Sequence, residues 1–310
     1  MSSKSTGDAK TRSGVICAVL GAVSWGFSGT ASQYLFMNYE INSVWLTTMR
    51  MVLSGIVLMA ACLLADREEL ISLFRHKRDF RHEVVFAIAG LMIVQYAYLT
   101  AIQYSNSATA TVLQNLSVAI IAVLTAVMTR KMLSVSHIFS ILLALLGVFL
   151  LATHGNIHTM VLSKQGLLWG LLAAAGVCSY SMLSAGLVAK WSSRVVSAYG
   201  MLIGGVVLGL LTGAFTMKAE LDLAGGFVLA LIILIGTVGA FTLFIRGIGE
   251  IGAVKATLIG CLEPVSATII SALWLGSRFS WIDLLGFACI LVTVFIFNAG
   301  KKADGTDRAE

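Results

Sequence analysis

The chain has 310 residues, of which 58% are hydrophobic and only 12% charged, and a net charge of +6. Soluble domains carry about 25% charged residues, and a chain of this length has no interior large enough to hide so much apolar surface. A soluble fold is excluded. The positive charge is not a nucleic-acid signature either, because it sits in loops that face one side.

Ten apolar stretches divide the chain: 14–36, 42–65, 83–103, 107–129, 134–153, 166–188, 194–214, 224–246, 252–275 and 280–298. Each is long enough for a helix to cross a hydrocarbon layer of about 30 Å. The predicted architecture is therefore all-α and membrane-integral. Segment 1–13 is polar and reads as a disordered cytoplasmic tail; the span after it is full-length, unlike the short apolar core of a cleavable signal. The first span carries Gly21, Trp25, Ser28 and Ser32 on one stripe, and the second holds Arg50. The connection Asp66–His82 suits a short surface helix with Leu70, Leu73 and Phe74 on one face and a basic end that can meet lipid headgroups. The third and fourth spans contain an uncharged polar set, Gln95, Tyr98, Thr111, Gln114 and Asn115, too costly to face lipid. Gly176, Tyr180 and Ser184 form a stripe in the sixth. The seventh has glycines at 200, 204, 205, 209 and 213, a close-packing face. The ninth holds Glu263 and the sole proline, Pro264; segment 299–310 is a second polar tail.

Lysines and arginines gather on one side, as in Arg67, Arg75, Lys77, Arg78, Arg81, Arg130, Lys131, Lys190 and Arg194. The opposite loops hold Lys164, Lys218 and Arg278. The positive-inside rule places both termini in the cytoplasm, which an even number of spans requires. With five spans per half, 14–153 and 166–298 run in opposite directions, the inverted repeat of many secondary transporters. Sliding Ala101–Ala152 onto Gly247–Asn298 without gaps pairs Ala110 with Ala256, Thr111 with Thr257, Leu116 with Leu262 and Phe149 with Phe295. It also superposes Ser134 on Ser280, both where a helix N-cap belongs.

Glu263 reads as the only acidic residue deep in a span, where a charge costs about 2.5–3.5 kcal/mol on insertion scales. That suits a carboxyl that carries a coupling proton, or one that packs permanently protonated between helices. Pro264 removes a helical donor and crowds the carbonyl of Gly260, so a kink with a freed carbonyl beside Glu263 is expected. The face Ala256, Gly260, Glu263, Ala267, Ser271 is otherwise small. Arg50 either snorkels to the outer interface, holds a substrate carboxylate, or pairs with Glu263. Trp25, Gln95, Tyr98, Thr111, Gln114, Asn115 and Tyr180 together suit a pocket for small amphipathic metabolites.

Other patterns weigh less. Cys17, Cys62, Cys178, Cys261 and Cys289 all lie inside apolar spans, without disulfide or zinc spacing. Gly247-Ile-Gly-Glu-Ile-Gly252 follows a membrane span, with no strand to make it a dinucleotide site. His154 and His158 lack a further metal ligand. No cofactor, no metal and no enzymatic constellation is expected.

In this order, on ten spans, the fragments Ala22-Val-Ser-Trp25-Gly26, Arg50, Ala108-Thr-Ala-Thr-Val-Leu-Gln114 and Gly252-Ala-Val-Lys255-Ala-Thr-Leu-Ile-Gly-Cys-Leu-Glu263-Pro264 resemble an EamA-type member of the drug/metabolite transporter superfamily. The resemblance runs from about Arg12 to Asn298. It implies two inverted five-helix repeats around a central cavity, moving small organic metabolites such as amino acids across a bacterial inner membrane. Val118 stands where the family often has a first-half proline, with Ser117 opposite Glu263. Lys131 and Ser277 replace acids often found after the fourth and ninth spans. Neither a symmetric pair of kinks nor a first-half acidic coupling site is therefore expected. The functional expectation is an alternating-access carrier, its partners a small-molecule substrate, lipid and, through Glu263, protons. An uncoupled facilitator or channel of the same fold is the alternative. A membrane enzyme would need clustered acids or histidines on one face, and a flippase a cationic groove that only Arg50 could begin.

Overall fold

The computed structural model describes residues 2–130, 135–156 and 161–303. Lys131, Ser134 and His158 lie outside the described residues, and with them the expected Ser134 cap and one member of the histidine pair. Within the described residues the chain is all-helical. Eight segments are long and apolar enough to cross a membrane: Thr11–Asn38, Ser43–Ala65, Lys77–Tyr104, Ser107–Met128, Lys164–Val188, Ser193–Thr212, Leu223–Ile251 and Leu258–Leu275. Ile138–Thr153 and Trp281–Ile296 are shorter apolar helices. The outer surface agrees with the composition: Leu64, Leu211, Leu223 and Leu273 are each at least 75% exposed. Such a continuous apolar exterior is stable only against lipid.

The helices are α1 (Ser2–Asn38), α2 (Ser43–Ala65), α3 (Arg67–Arg75), α4 (Lys77–Val85), α5 (Ile93–Tyr104), α6 (Ser107–Gln114), α7 (Ser117–Thr129) and α8 (Val135–Thr153). The second half holds α9 (Lys164–Val188), α10 (Ser193–Thr212), α11 (Leu223–Ile233), α12 (Ala240–Ile251), α13 (Ala253–Gly260), α14 (Leu262–Leu275) and α15 (Trp281–Ala303). Helix α1 thus extends back through the stretch read as a tail. Side-chain caps start several of them: Asn42 accepts from Trp45 N–H at 2.8 Å, Asn106 from Thr109 at 2.8 Å and Ser163 from Gly166 at 3.0 Å. Each satisfies a donor that apolar surroundings would leave orphaned.

Two kinds of interruption recur in both halves. A π-helical turn, Phe86–Met92, joins α4 to α5, and another, Leu234–Gly239, joins α11 to α12. Short breaks separate α6 from α7 and α13 from α14. In the ungapped register that superposes Ala101 on Gly247, Asn115 falls on Cys261, and these are the two break residues. Their backbones nearly coincide, with φ/ψ of −66°/−11° and −61°/−9°. Both ψ values depart from the helical −42° toward a tighter turn. The expectation of a single, proline-driven kink is therefore corrected. Asn115 makes the first-half break without proline, its side-chain amide donating to the Thr111 carbonyl at 2.9 Å. Pro264 is the third residue of α14, where a helix has no internal use for the missing N–H.

The packing is also paired. α2 lies against α10 and α8 against α15. α9 packs on α5 and α6, while α1 packs on α12 and α14. Glycines permit the closest approaches. A Cβ on Gly26 would stand 2.6 Å from the Glu263 carbonyl oxygen and 2.8 Å from Ala267 N, so α1 touches the α14 backbone only because position 26 has no side chain. The surface helix α3 forms as expected and buries Leu70 and Leu73, but Phe74 is 60% exposed and meets Phe80 edge-on at 5.0 Å. All five cysteines are buried, and among the described residues none is joined in a disulfide. His154 binds Asp283 at 2.8 Å.

Candidate functional site

A cavity of about 200 Å³ lies where the interruptions converge. Its walls are Trp25 from α1, Arg50 from α2, Leu91 from the first π turn, and Val94, Gln95 and Tyr98 from α5. Gln114, the last residue of α6, Val177 and Tyr180 from α9, Phe241 from α12 and Glu263 from α14 complete it. The breaks position two of these groups: Gln114 ends one half-helix and Glu263 sits in the first turn of another. Discontinuous helices with polar termini at mid-membrane are a recurrent way to build a transporter site.

Seven of the expected residues line this cavity: Trp25, Gln95, Tyr98, Gln114, Tyr180, Arg50 and Glu263. Thr111 and Asn115 do not. Thr111 is 1% exposed and sits behind the wall, its hydroxyl 2.8 Å from that of Tyr98, while Asn115 is spent on the helix break. Gly260 and Pro264 flank the second break without lining the cavity.

Arg50 does not snorkel. It is 4% exposed, and its Nε donates to Thr237 Oγ1 at 3.0 Å. Thr237 belongs to the second π turn and itself donates to the Ile232 carbonyl at 3.0 Å, five residues back. That anchor holds the guanidinium inward. Its Nη1 is buried without a hydrogen-bond partner among the described residues. Nor do Arg50 and Glu263 form an ion pair within 4.0 Å; the pairs among the described residues are His154–Asp283, Lys190–Asp79, Arg194–Asp66 and Arg246–Glu250. The cavity thus offers a cation and a carboxyl that do not neutralise each other by contact. Trp25 is fixed between Phe241, 5.3 Å away edge-on, and Phe244 at 4.7 Å. Tyr180 packs on Phe86 at 5.2 Å.

Several parts were missed from the sequence. Phe241 and Leu91 look like any other apolar residue in a span. Buried Gln33 accepts from Ser107 N–H at 2.9 Å and from the Ser271 hydroxyl at 3.5 Å, while Thr30 Oγ1 lies 3.2 Å from Ser107 Oγ. This polar knot ties α1, α6 and α14 together beyond the cavity; an amide inside a span was the signal for it. Glu83, at the edge of its span in sequence, is an acid that the sequence reading did not single out: it is 0% exposed.

Outside the spans, each side of the bundle is held by a connection. Tyr39 donates to Asp222 Oδ1 at 2.5 Å. The Tyr39 phenol is pushed up to about 12, first by that hydrogen bond and then by burial. The Asp222 carboxyl is held below its ordinary value, first by the Gly225 N–H and then by the Tyr39 hydroxyl. At the other set of connections, Asp79 accepts from Lys190 at 3.0 Å and from the Trp191 indole at 3.2 Å. Asp66 meets Arg194 at 3.1 Å, and Glu69 accepts from Ser192 N–H.

The sequence profile of the EamA-like transporter family matches twice, over residues 12–153 and 164–299. The uncharacterized inner membrane transporter YicL of Salmonella typhimurium (strain LT2) is 32% identical over 294 residues, covering 94% of this chain and 97% of that one. The uncharacterized transporter YcbK of Bacillus subtilis (strain 168) is 32% identical over 168 residues, 52% of this chain and 54% of its own. A protein of known crystal structure, 18% identical, superposes with a TM-score of 0.58 over 94% of this chain and 96% of that one, and so shares the fold.

Proposed function

The chain belongs to the EamA-like transporter family, and from that premise we propose that it is a secondary carrier for small, amino-acid-like metabolites that works by alternating access around the central cavity. The observation that carries this reading is the cavity itself: a hollow between interrupted helices, with Arg50, Glu263 and an aromatic wall around it. Arg50 recognises a carboxylate, and Trp25, Phe241 and Tyr180 take the apolar part. A cavity of about 200 Å³ falls below the usual range for drug-sized ligands, which favours a small occupant.

The ten-helix arrangement is part of the proposal, with the shorter apolar helices at Ile138–Thr153 and Trp281–Ile296 as the fifth and tenth spans. So are the division into repeats 14–153 and 166–298, with short tails 1–13 and 299–310, and the cytoplasmic placement of both termini in a bacterial inner membrane. The matching π turns, matching breaks and paired helix contacts support two oppositely directed halves.

Glu263 faces the same cavity and is the group through which protons couple on this reading. A thermal-shift panel tests substrate class: amino acids should stabilise the purified protein, and their decarboxylated amines should not. Flux into proteoliposomes with and without a pH gradient tests coupling. If gradient-independent flux survives in Glu263→Gln, the coupling is wrong and the uncoupled facilitator replaces it.

A further inference from the structure

Glu83 lies two residues before the first π turn, at the C-terminal end of α4. It is 0% exposed, and both of its carboxyl oxygens are buried without a hydrogen-bond partner among the described residues. Its surroundings are apolar or phenolic. A Cβ on Gly200 of α10 would meet Glu83 Oε1 at 3.4 Å and the Phe86 ring at 3.0 Å. Two titratable groups are near enough to feel its charge: Tyr180 from α9 and Tyr199 from α10. Leu70 and Leu73 of α3 and Phe86 of the π turn belong to the apolar cluster against which Tyr180 and Tyr199 pack. On its own helix, Asp79 is held by Lys190 and Trp191, and His82 faces Gly186. Among the described residues no cation lies within 4.0 Å of Glu83.

A carboxylate with neither cation nor donor in a dry pocket is among the costliest arrangements a protein can hold, whereas a neutral carboxylic acid costs far less. Tyr180 links this pocket to the cavity, since it also lines the wall near Glu263. The α3–α4 segment that carries Glu83 is clasped by Asp66, Glu69 and Asp79 onto the α9–α10 connection and the start of α10. The corresponding helix of the other half, Leu223–Ile233, contains no titratable residue, so the feature belongs to one side only.

We propose that Glu83 is a proton-binding site, filled in this conformation and opened to water when the α3–α4 clasp releases. Its use in transport rests on the carrier reading above; the proton binding does not. The site would link a protonation step to the opening of one gate, separately from Glu263.

The experiment is infrared difference spectroscopy of the full chain in lipid nanodiscs, following the carbonyl stretch of protonated carboxyl groups. Glu263→Gln should retain such a band at neutral pH, and Glu83→Gln in that background should lose it. Deuterium exchange of the band should be about three- to tenfold faster in Lys190→Ala/Arg194→Ala, the scale that exposed ion pairs supply. If Glu263→Gln shows no protonated carboxyl at neutral pH, the proposal is overturned, and this arm holds even if Glu83→Gln fails to fold. A band that persists without Glu83 overturns it as well. An exchange rate unchanged by cutting the clasp overturns the gating part. Absent metabolite flux with the band intact would sink the carrier reading and leave the proton site standing.

Discussion

Arg50 shows how one residue acquires a role from its second neighbour. A guanidinium in a span can extend toward water, but Thr237 holds the Nε at 3.0 Å and keeps the group inside. Arg50→Ala should reduce carrier-mediated uptake about 30-fold or more, because losing one partner of a desolvated charge contact costs about 2–5 kcal/mol. Arg50→Lys should recover little, since a lysine offers no fork to a carboxylate. Thr237→Val should raise the apparent KM with a smaller effect on the maximal rate. The Tyr39–Asp222 contact makes a pH prediction. The Asp222 carboxyl is depressed, so its contribution is complete above the unfolded value of about 3.9 and fades as pH falls through the folded one. Tyr39 is raised, so its contribution is complete below about 10 and disappears as pH rises through about 12. Between those limits the latch is insensitive to pH. Thermal unfolding of the wild type and Tyr39→Phe should therefore differ by a constant amount from about pH 5 to pH 9; a difference that varies in that window would show that another group governs the contact.

At the scale of elements, the interruptions matter more than the helices. Hydrophobic runs made the spans legible because length and polarity alone decide what crosses a bilayer. The Asn115 break was not legible, because asparagine closes it by a local side-chain bond that leaves no mark in the hydropathy. The π turns were equally hidden: each adds a residue to a helical turn without changing its composition. Most of the cavity's polar and aromatic lining was legible, since such groups in a span must turn inward, but that argument could not separate Tyr98 in the wall from Thr111 behind it. If the break at Cys261 does not depend on proline, as its counterpart at Asn115 does not, Pro264→Ala should keep the fold. It should lower stability by only about 0.4–1 kcal/mol, the scale of proline effects at compatible sites. Loss of folding would show that proline creates the break. Gly26→Leu should do more damage, because its side chain would enter the α14 backbone beside Glu263.

For the whole molecule, the cavity and its two sets of clasped connections suit a machine with one site and two gates. Tyr39 and Asp222 bind one pair of connections, and Asp66, Glu69 and Asp79 bind another. On the proposed orientation, the acidic clasp faces the cytoplasm. On the proposed carrier reading, alternating access means releasing one clasp while the other holds, so that the cavity never opens to both sides. The most direct test is counterflow in proteoliposomes preloaded with unlabelled amino acids, with labelled amino acid supplied outside. The account predicts a transient, saturable accumulation of label that is lost in Arg50→Ala. Entry that rises linearly with concentration, or counterflow indifferent to Arg50, would contradict it.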